Sequence, residues 1–377
     1  MTKIAIVAGE ASGDLIAAQL MLNINRNIKN VQYIGVGGPM MKKNGLSSFF
    51  DYKVLGVNGY IEVLKNLFVL LRRRRSLIKY LLNEKPDIFI GIDAPDFNFK
   101  IEKTLKENNI KVVHYVAPSV WAWRKKRIRS IKSFMNHLFL VFPHEIKIFK
   151  SVNMPATYVG HPLATIIPYN SKPSVSRKKL NIEENSLVIA ILPGSRLGEI
   201  RWHLDTMLEA AVLIQKELDS VLFVIPCNNK DSLKIIDYKL KHYKQVLNIK
   251  TVIGHSHDII NSANIVIVAS GTASLESALF KKPMLIIFKT SWLSFQILSR
   301  MKLIPWIGLP NILLNKLISP EFVQNDAIPS KISKEAIRII NDKSYKNFIT
   351  KEFNALHKSL RLDTSGLIFN VIKKYLR

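Results

Sequence analysis

Four segments of this sequence place glycine, serine and acidic residues directly after short apolar runs. In parallel α/β sheets, ligands bind beyond the carboxyl ends of the strands, where helix N-termini present free N–H groups. The four segments therefore predict a ligand site with an anionic component. They read GEASGD (9–14), DAPDFN (93–98), PGSRLGE (193–199) and SGTASLE (270–276).

The first two segments supply carboxylates. Asp93 comes directly after an apolar run, so its side chain is expected at a strand end, where a carboxylate can act as a general base. Ser12 or Asp14 can cap the helix that follows, but Glu10 stands at the tip of the first run, before the turn, and is predicted to face the substrate. Asp96 is separated from Asp93 by a proline, which is not the Asp-x-Asp arrangement of metal-dependent sugar-nucleotide sites. We therefore predict no metal.

The last two segments favour phosphate binding. Neither is a P-loop, because the terminal Gly-Lys-Ser/Thr is absent, but backbone N–H groups and the Arg196 guanidinium could hold a diphosphate. Glu276 could accept hydrogen bonds from ribose hydroxyls, and a role in a capping box is the alternative. The residues predicted to contact phosphate are Gly194, Ser195, Arg196, Ser270, Gly271 and Thr272.

Two series of short apolar runs, separated by helical patterns, must position these segments. Such alternation predicts an α/β fold with two doubly wound parallel sheets, covered by helices on both faces. Residues 161–173 carry three prolines and are the best candidate for a linker, and the chain from Ser330 onward is helical in pattern. The runs lie at 4–8, 33–36, 88–92 and 112–116, then at 187–192, 221–225, 265–269 and 284–288.

Composition narrows the class of protein. The chain has 377 residues, of which 48% are hydrophobic, and its single cysteine excludes a disulfide framework or a cysteine-based zinc site. The N-terminus lacks the pattern of a signal peptide, and no apolar run is long enough to predict a transmembrane helix. The net charge of +27 fits compositional drift, attraction to an anionic membrane or lipid, or nucleic-acid binding. No RRM or KH signature accompanies it, so we predict no nucleic-acid partner.

One predicted helix, residues 61–82, combines a broad apolar stripe with four successive arginines at 72–75. A basic amphipathic helix of this kind can lie in a membrane interface. Packing into the core, with a solvated basic turn, is the alternative. The candidates for membrane or acyl-chain contact are Leu67, Phe68, Leu71, Arg72 and Arg73.

Together, these motifs resemble the sequence blocks of a known protein family. The sequence resembles the lipid-A-disaccharide synthase family in a series of blocks that run in family order over most of the chain. HYVAPSVWAW and IDAPDFN are the most specific of them. The blocks are AGEASGD (8–14), GVGGPMM (35–41), IDAPDFN (92–98), HYVAPSVWAW (114–123), GHPL (160–163), LPGSR (192–196), SGTASLE (270–276) and LPN (309–311).

The resemblance implies an inverting glycosyltransferase of GT-B architecture, with two Rossmann-like domains facing across a cleft. The implied domains are an acceptor-binding and membrane-facing one over 1–165, a UDP-sugar-binding one over 166–345, and C-terminal helices over 346–377 that pack back on the first. In this family Asp93 matches the proposed catalytic base. Glu10, Arg196, Glu276 and Asn311 match residues important for activity or nucleotide binding, and of these Glu10 is expected to be catalytic.

The resemblance also implies the substrates and the location. UDP-2,3-diacylglucosamine would be the donor and 2,3-diacylglucosamine 1-phosphate the acceptor, giving a β(1→6)-linked disaccharide 1-phosphate and UDP, with no cofactor. Because both substrates carry acyl chains, the enzyme is expected in the cytoplasm, bound peripherally to the anionic inner face of the bacterial inner membrane. The oligomeric state stays open, with a homodimer among the options. Another UDP-sugar enzyme of the same architecture and a nucleic-acid-binding protein are the competing interpretations.

Overall fold

The computed structural model describes residues 1–9, 11–55, 60–118, 127–218, 220–243, 245–292, 294–296 and 305–376, without the side chains of residues 11, 12, 53, 60–67 and 127. The chain divides into two compact units. The first unit contains residues 1–162 and 360–377, and the second contains residues 163–359. The first is therefore built from both ends of the chain.

The first unit is built on a seven-stranded parallel sheet with the order β3-β2-β1-β4-β5-β6-β7. Its central strands are apolar on both faces, as expected where helices cover a sheet on each side. In register, Ile4 of β1 lies beside Tyr33 of β2 and Ile88 of β4. The strands are β1 (Thr2–Ala8), β2 (Val31–Val36), β3 (Leu46–Ser48), β4 (Ile88–Ile92), β5 (Lys111–Tyr115), β6 (His137–Leu140) and β7 (Ala156–Tyr158).

Helices connect these strands, and a 3-10 turn at Tyr52–Val54 precedes the longest of them. Pro95 opens the helix that follows β4, a position where the missing N–H costs nothing. The helices of the N-terminal segment are α1 (Ala11–Asn27), α2 (Pro39–Lys43), α3 (Tyr60–Glu84), α4 (Pro95–Glu107), α5 (Arg127–Phe134), α6 (Glu145–Lys150) and α7 (Pro162–Ile166).

The second unit is built on a six-stranded parallel sheet with the order β10-β9-β8-β11-β12-β13. Ile189 of β8 lies between Phe223 of β9 and Ile265 of β11, and all three side chains are fully buried. The strands are β8 (Leu187–Leu192), β9 (Val221–Cys227), β10 (Ile249–Ile253), β11 (Ile265–Ala269), β12 (Met284–Phe288) and β13 (Glu321–Val323).

The helices of the second half begin with α8 (Pro173–Lys179) and α9 (Leu197–Glu217), followed by α10 (Lys230–Leu240), α11 (Ser256–Ser262), α12 (Thr272–Leu279) and α13 (Leu309–Leu314). A 3-10 turn at Gln324–Asp326 leads into α14 (Pro329–Asn341) and α15 (Lys343–Leu360). The last helix, α16 (Thr364–Ile372), lies against α1 in the first unit. Residues 346–359, which the sequence analysis grouped with the C-terminal helices, lie in the second unit.

The prediction of an α/β fold with two parallel sheets is confirmed, and a strand occupies each of the eight apolar runs. Five strands were not predicted: β3, β6, β7, β10 and β13. Four of them lie at the edge of a sheet and β6 lies next to an edge, where strands are short or only partly buried and the apolar signal is weak.

Candidate functional site

The four predicted segments lie at the two points where strand order reverses. In the first unit the reversal falls between β1 and β4, which are followed by residues 9–14 and 93–98. In the second unit it falls between β8 and β11, which are followed by residues 193–199 and 270–276. Doubly wound sheets bind ligands at such switch points. Each unit therefore presents one candidate ligand site built from two of the predicted segments.

In the first unit, Asp93 and Ala94 form a tight turn between β4 and α4. Both have positive φ values, +50° for Asp93 and +44° for Ala94, in the left-handed region that non-glycine residues avoid. The Asp93 N–H donates to the Tyr115 carbonyl at 2.9 Å, and the Asn98 amide donates to the Asp93 carbonyl at 2.8 Å. The Asp93 side chain is half-buried. A strained pair that is held from both sides is typical of a functional position.

The segment after β1 lies against this turn. A Cβ on Gly9 would stand 3.1 Å from the Ala94 Cβ, so the two strand ends approach closely. Asp14 is 3% exposed, and its carboxylate accepts hydrogen bonds from the N–H groups of Gly38, Met40 and Met41 at 2.9–3.0 Å. It therefore caps the start of α2, 24 or more residues away, and not its own helix. Glu10, the second predicted catalytic residue, lies outside the described residues.

In the second unit, the turn after β8 is closed by a side chain that the sequence analysis did not single out. The Glu199 carboxylate accepts from the N–H groups of Ser195 at 2.9 Å and Arg196 at 3.3 Å, and it pairs with the Arg196 guanidinium at 3.6 Å. Gly194 has φ +128°, and a Cβ there would collide with the Glu199 side chain. The Arg196 side chain is 48% exposed. An anion that reaches these two N–H groups must displace Glu199.

The turn after β11 is more open. No side chain caps the start of α12, which presents the N–H groups of Thr272 and Ala273. A Cβ on Gly271 would meet nothing within 4 Å, so a ligand can approach this backbone closely. The Ser270 hydroxyl does not cap the helix, because it donates to the Ile307 carbonyl at 2.9 Å. Free N–H groups at a helix start are the elementary form of a phosphate site.

Glu276 lies deeper in this helix and does not form a capping box. Its carboxylate lies 3.5 Å from His257 Nε2, at the start of α11. The hydrogen bond with Glu276 is the main reason that the His257 pKa is raised, although burial opposes it. The sequence analysis missed His257, which no motif distinguishes from the neighbouring histidine at 255.

Asn311, at the start of α13, is fully buried and its amide is fully used. Its Nδ2 donates to the Ser319 carbonyl and to Glu321 Oε1, both at 2.8 Å. Its Oδ1 accepts from the N–H groups of Ile318 and Ser319, both at 2.9 Å. Glu321 in turn accepts from the backbone of Ile307 and Gly308. In this arrangement Asn311 holds a loop together and has no hydrogen-bonding group left for a nucleotide.

The two ends of helix α3 differ: one packs into the core, and the other exposes apolar and basic side chains. Its C-terminal half packs into the core through Leu77 and Leu81, which are fully buried. Further toward its N-terminus, Phe68 is 83% exposed and Leu71 is half-buried, while the Arg72 and Arg73 side chains are exposed. The Leu67 side chain lies outside the description. Among the described residues, no helix has the length and apolar character needed to cross a bilayer.

The architecture places this chain in a class. Two parallel-sheet units of this kind are the architecture of the GT-B fold, and solved structures share it. The S. aureus MnaA–UDP co-structure matches with a TM-score of 0.68 and 14% identity, covering 100% of this chain and 97% of that one. A UDP-GlcNAc 2-epimerase from Neisseria meningitidis matches with a TM-score of 0.64 and 14% identity, over 99% and 100% of the two chains.

Sequence comparison identifies the family within this class. The family profile described as lipid-A-disaccharide synthetase matches residues 4–371. Lipid-A-disaccharide synthase of Methylobacillus flagellatus is 40% identical over 100% of both chains, and that of Cupriavidus pinatubonensis is 40% identical over 99% of this chain and 93% of its own. The chain belongs to the lipid-A-disaccharide synthase family, as the motifs predicted.

Proposed function

We propose that this protein transfers a diacylglucosaminyl group from UDP-2,3-diacylglucosamine to 2,3-diacylglucosamine 1-phosphate. The products are the β(1→6)-linked disaccharide 1-phosphate of lipid A biosynthesis and UDP. Membership of the family supports the reaction, and the turn at Asp93 is the structural observation that carries it, because it presents a half-buried carboxylate at the switch point of the first unit.

In the proposed step, the acceptor 6-hydroxyl attacks the anomeric carbon of the donor. The new bond joins O6 to C1, while the bond between C1 and the phosphate oxygen breaks and its electrons leave with UDP. Asp93 accepts the hydroxyl proton as the attack proceeds, and general-base help of this kind is worth about 10²–10⁴-fold in rate. Glu10 is proposed as a second catalytic residue that acts on the substrate.

The second unit is proposed to hold the donor. The uncapped start of α12, at Gly271 and Thr272, and the Arg196 guanidinium would stabilise charge on the departing diphosphate. Glu276 is proposed to face the ribose with one carboxylate oxygen while His257 holds the other. Asn311 is proposed to act by holding the loop at 307–321, because all the hydrogen bonds of its side-chain amide are made within that loop.

The test is the variant Asp93→Asn, with Asp96→Asn as the matched control because Asp96 has an exposed side chain three residues further on, in the first turn of α4. Turnover is measured with labelled donor, and UDP affinity by calorimetry. We expect Asp93→Asn to lose at least about 10²-fold in kcat while the Kd for UDP stays at the wild-type value. Wild-type turnover in Asp93→Asn, or an equal loss in Asp96→Asn, would refute the assignment of the base.

We further propose that α3 brings the enzyme to the anionic inner face of the inner membrane. Phe68 would insert among acyl chains while Arg72 and Arg73 approach lipid headgroups, each arginine contributing about 1 kcal/mol that salt weakens. Sedimentation with anionic liposomes tests this. Phe68→Ser should weaken binding by roughly 10-fold or more, since burying a phenylalanine is worth about 2 kcal/mol, and the exposed control Tyr238→Ser should not. If Phe68→Ser and Tyr238→Ser bound the liposomes equally well, α3 would serve only to pack against the core.

A further inference from the structure

A buried pair of ionisable side chains lies behind the Asp93 turn, and the proposed chemistry does not use it. His114 Nδ1 on β5 lies 2.6 Å from Glu102 Oε1 on α4, and neither side chain has any exposed surface. Removing two charges from water costs several kcal/mol per ion, and an apolar pair of the same size would often stabilise a core better. The stability of the fold alone therefore does not explain why this pair is present.

The local sequence makes room for the pair. Gly91 interrupts the bulky run of β4 and lies directly beside His114 in the register of the two strands. A Cβ on Gly91 would collide with Glu102 Oε1 and would stand 2.9 Å from His114 Nδ1. The glycine is required here for space, because no larger residue leaves the carboxylate and the imidazole in contact.

The same two elements also hold the Asp93 backbone from both sides. Tyr115, the residue after His114 on β5, accepts the Asp93 N–H at 2.9 Å. Asn98, one helical turn before Glu102 on α4, donates to the Asp93 carbonyl at 2.8 Å. A shift between α4 and β5 would therefore move the peptide groups that fix the left-handed conformation of Asp93.

The pair also interacts electrostatically with the turn. Burial lowers the His114 pKa, but the Glu102 carboxylate outweighs burial, and the Asp93 charge and a hydrogen bond with the Val116 backbone act in the same direction, so the His114 pKa is raised. The uncharged Phe99 ring also lies against His114, at a centroid distance of 5.5 Å. Among the described residues, Glu102 and Asp93 are the acids that act on His114.

Hydrogen bonding also argues against a purely stabilising role. Glu102 Oε2 and Asn98 Oδ1 are buried without a hydrogen-bond partner. Unsatisfied buried polar atoms are rare, and each costs roughly 1–3 kcal/mol. Two of them within one cluster next to a strained turn indicate that the cluster is kept for a purpose other than stability.

We propose that Glu102 and His114 are a positioning pair for Asp93. The pair fixes the spacing of α4 and β5, the two elements that hold the Asp93 turn, and through that spacing it positions the carboxylate that accepts the substrate proton. This inference rests on the proposed function, since it takes Asp93 as the base.

The experiment compares His114→Gln with the double variant Glu102→Gln/His114→Gln. The single variant leaves a buried carboxylate without its cation, whereas the double variant replaces the ion pair by two neutral amides and keeps the fold testable. The matched control is His137→Gln, a half-buried histidine on the neighbouring strand β6 that bonds to Thr157. Each variant is assayed for thermal unfolding, KM for donor and acceptor, and kcat.

We expect both variants to lose about 10–100-fold in kcat with KM values near those of wild type, because small displacements of a reacting group have effects of this size. A loss in kcat at unchanged KM values is the signature of misplaced chemistry and is not expected from reduced stability alone. His137→Gln should change neither kcat nor the KM values.

Two failures can be told apart. If Asp93→Asn is inactive but His114→Gln and the double variant both keep the wild-type kcat, the pair is structural and this inference is wrong, while the proposed function stands. If Asp93→Asn keeps wild-type turnover, the proposed base is wrong and the inference falls with it. A lower melting temperature alone, with kcat unchanged, counts against the positioning role.

Discussion

Replacing Asn311 by alanine separates two explanations for its importance in the family. The family resemblance links this residue to activity or nucleotide binding, whereas its geometry shows four internal hydrogen bonds, to Ser319 twice, to Ile318 and to Glu321. If its role is to hold the loop, the substitution should act first on stability and only through stability on UDP binding.

The expected magnitude follows from those four bonds. Each contributes about 1 kcal/mol net, and the buried backbone groups left behind have no water to replace the amide, so the loss should be about 4 kcal/mol. For a unit the size of residues 163–359, about 2–4 °C of melting temperature corresponds to each kcal/mol, so we expect a fall of roughly 8–16 °C.

The assay is thermal unfolding together with calorimetric titration of UDP well below the melting transition. Asn325→Ala, an exposed asparagine of the same unit, is the control and should leave the melting temperature within about 1 °C of wild type. The loop-holding account fails if Asn311→Ala melts like wild type but no longer binds UDP, because that result requires direct contact with the nucleotide.

Three further predictions concern the first unit. Asp14→Ala should destabilise it by about 3 kcal/mol, because three N–H groups at the start of α2 lose their acceptor; urea unfolding measures this, and an unchanged midpoint would contradict the cap. Gly91→Ala should lower both the melting temperature and kcat by overpacking the Glu102–His114 pair, and wild-type values of both would show that the site has room. Burial lowers the pKa values of His137 and His161 to about 4, with Lys374 adding to the effect at His137. Above pH 6.5 both histidines are largely neutral in the folded and in the unfolded chain. As the pH falls toward 4, the unfolded chain takes up the protons first, so the free energy of unfolding drops by roughly 1–2 kcal/mol for each histidine after allowance for partial exposure. Urea unfolding at pH 6.5 and 4.5 should show a smaller acid loss in His137→Asn and His161→Asn, and an equal loss in both variants and wild type would refute the assignment.

The general architecture could be predicted because central parallel strands are buried on both faces and end abruptly. The runs that became β4 and β11 are continuous apolar segments closed by Asp93 and Ser270, so their position and direction could be inferred together. Placing four polar segments at strand ends then required only the rule that parallel strands share an edge. Strand order was not predicted. It is the observed order, with β1 beside β4 and β8 beside β11, that brings these segments together in pairs at the switch points.

Contacts over long sequence separations were not predictable. The partners of Asp14 lie 24–27 residues away, and a cap for a distant helix has the same local sequence as a cap for its own. Glu199 was part of a recognised turn, but only the folded geometry shows that its carboxylate occupies the backbone N–H groups there.

The Glu102–His114 pair did leave a signal in the sequence. His114 lies inside the apolar run of β5, and Glu102 follows Ile101 on the buried face of α4, so each is a titratable residue where the pattern asks for an apolar one. Such a residue indicates a buried partner, although the sequence alone does not say which one.

The contribution of the chain's last residues to the first unit has a consequence for biosynthesis. Helix α16 lies against α1, the Tyr375 hydroxyl donates to the Asn136 carbonyl at 3.3 Å, and the His161 N–H donates to the Leu360 carbonyl at 2.8 Å. Residues 163–359 are therefore synthesised before the segment that completes the first unit. A chain that stopped near residue 360 would lack the helix that covers α1, and its first unit would be incomplete.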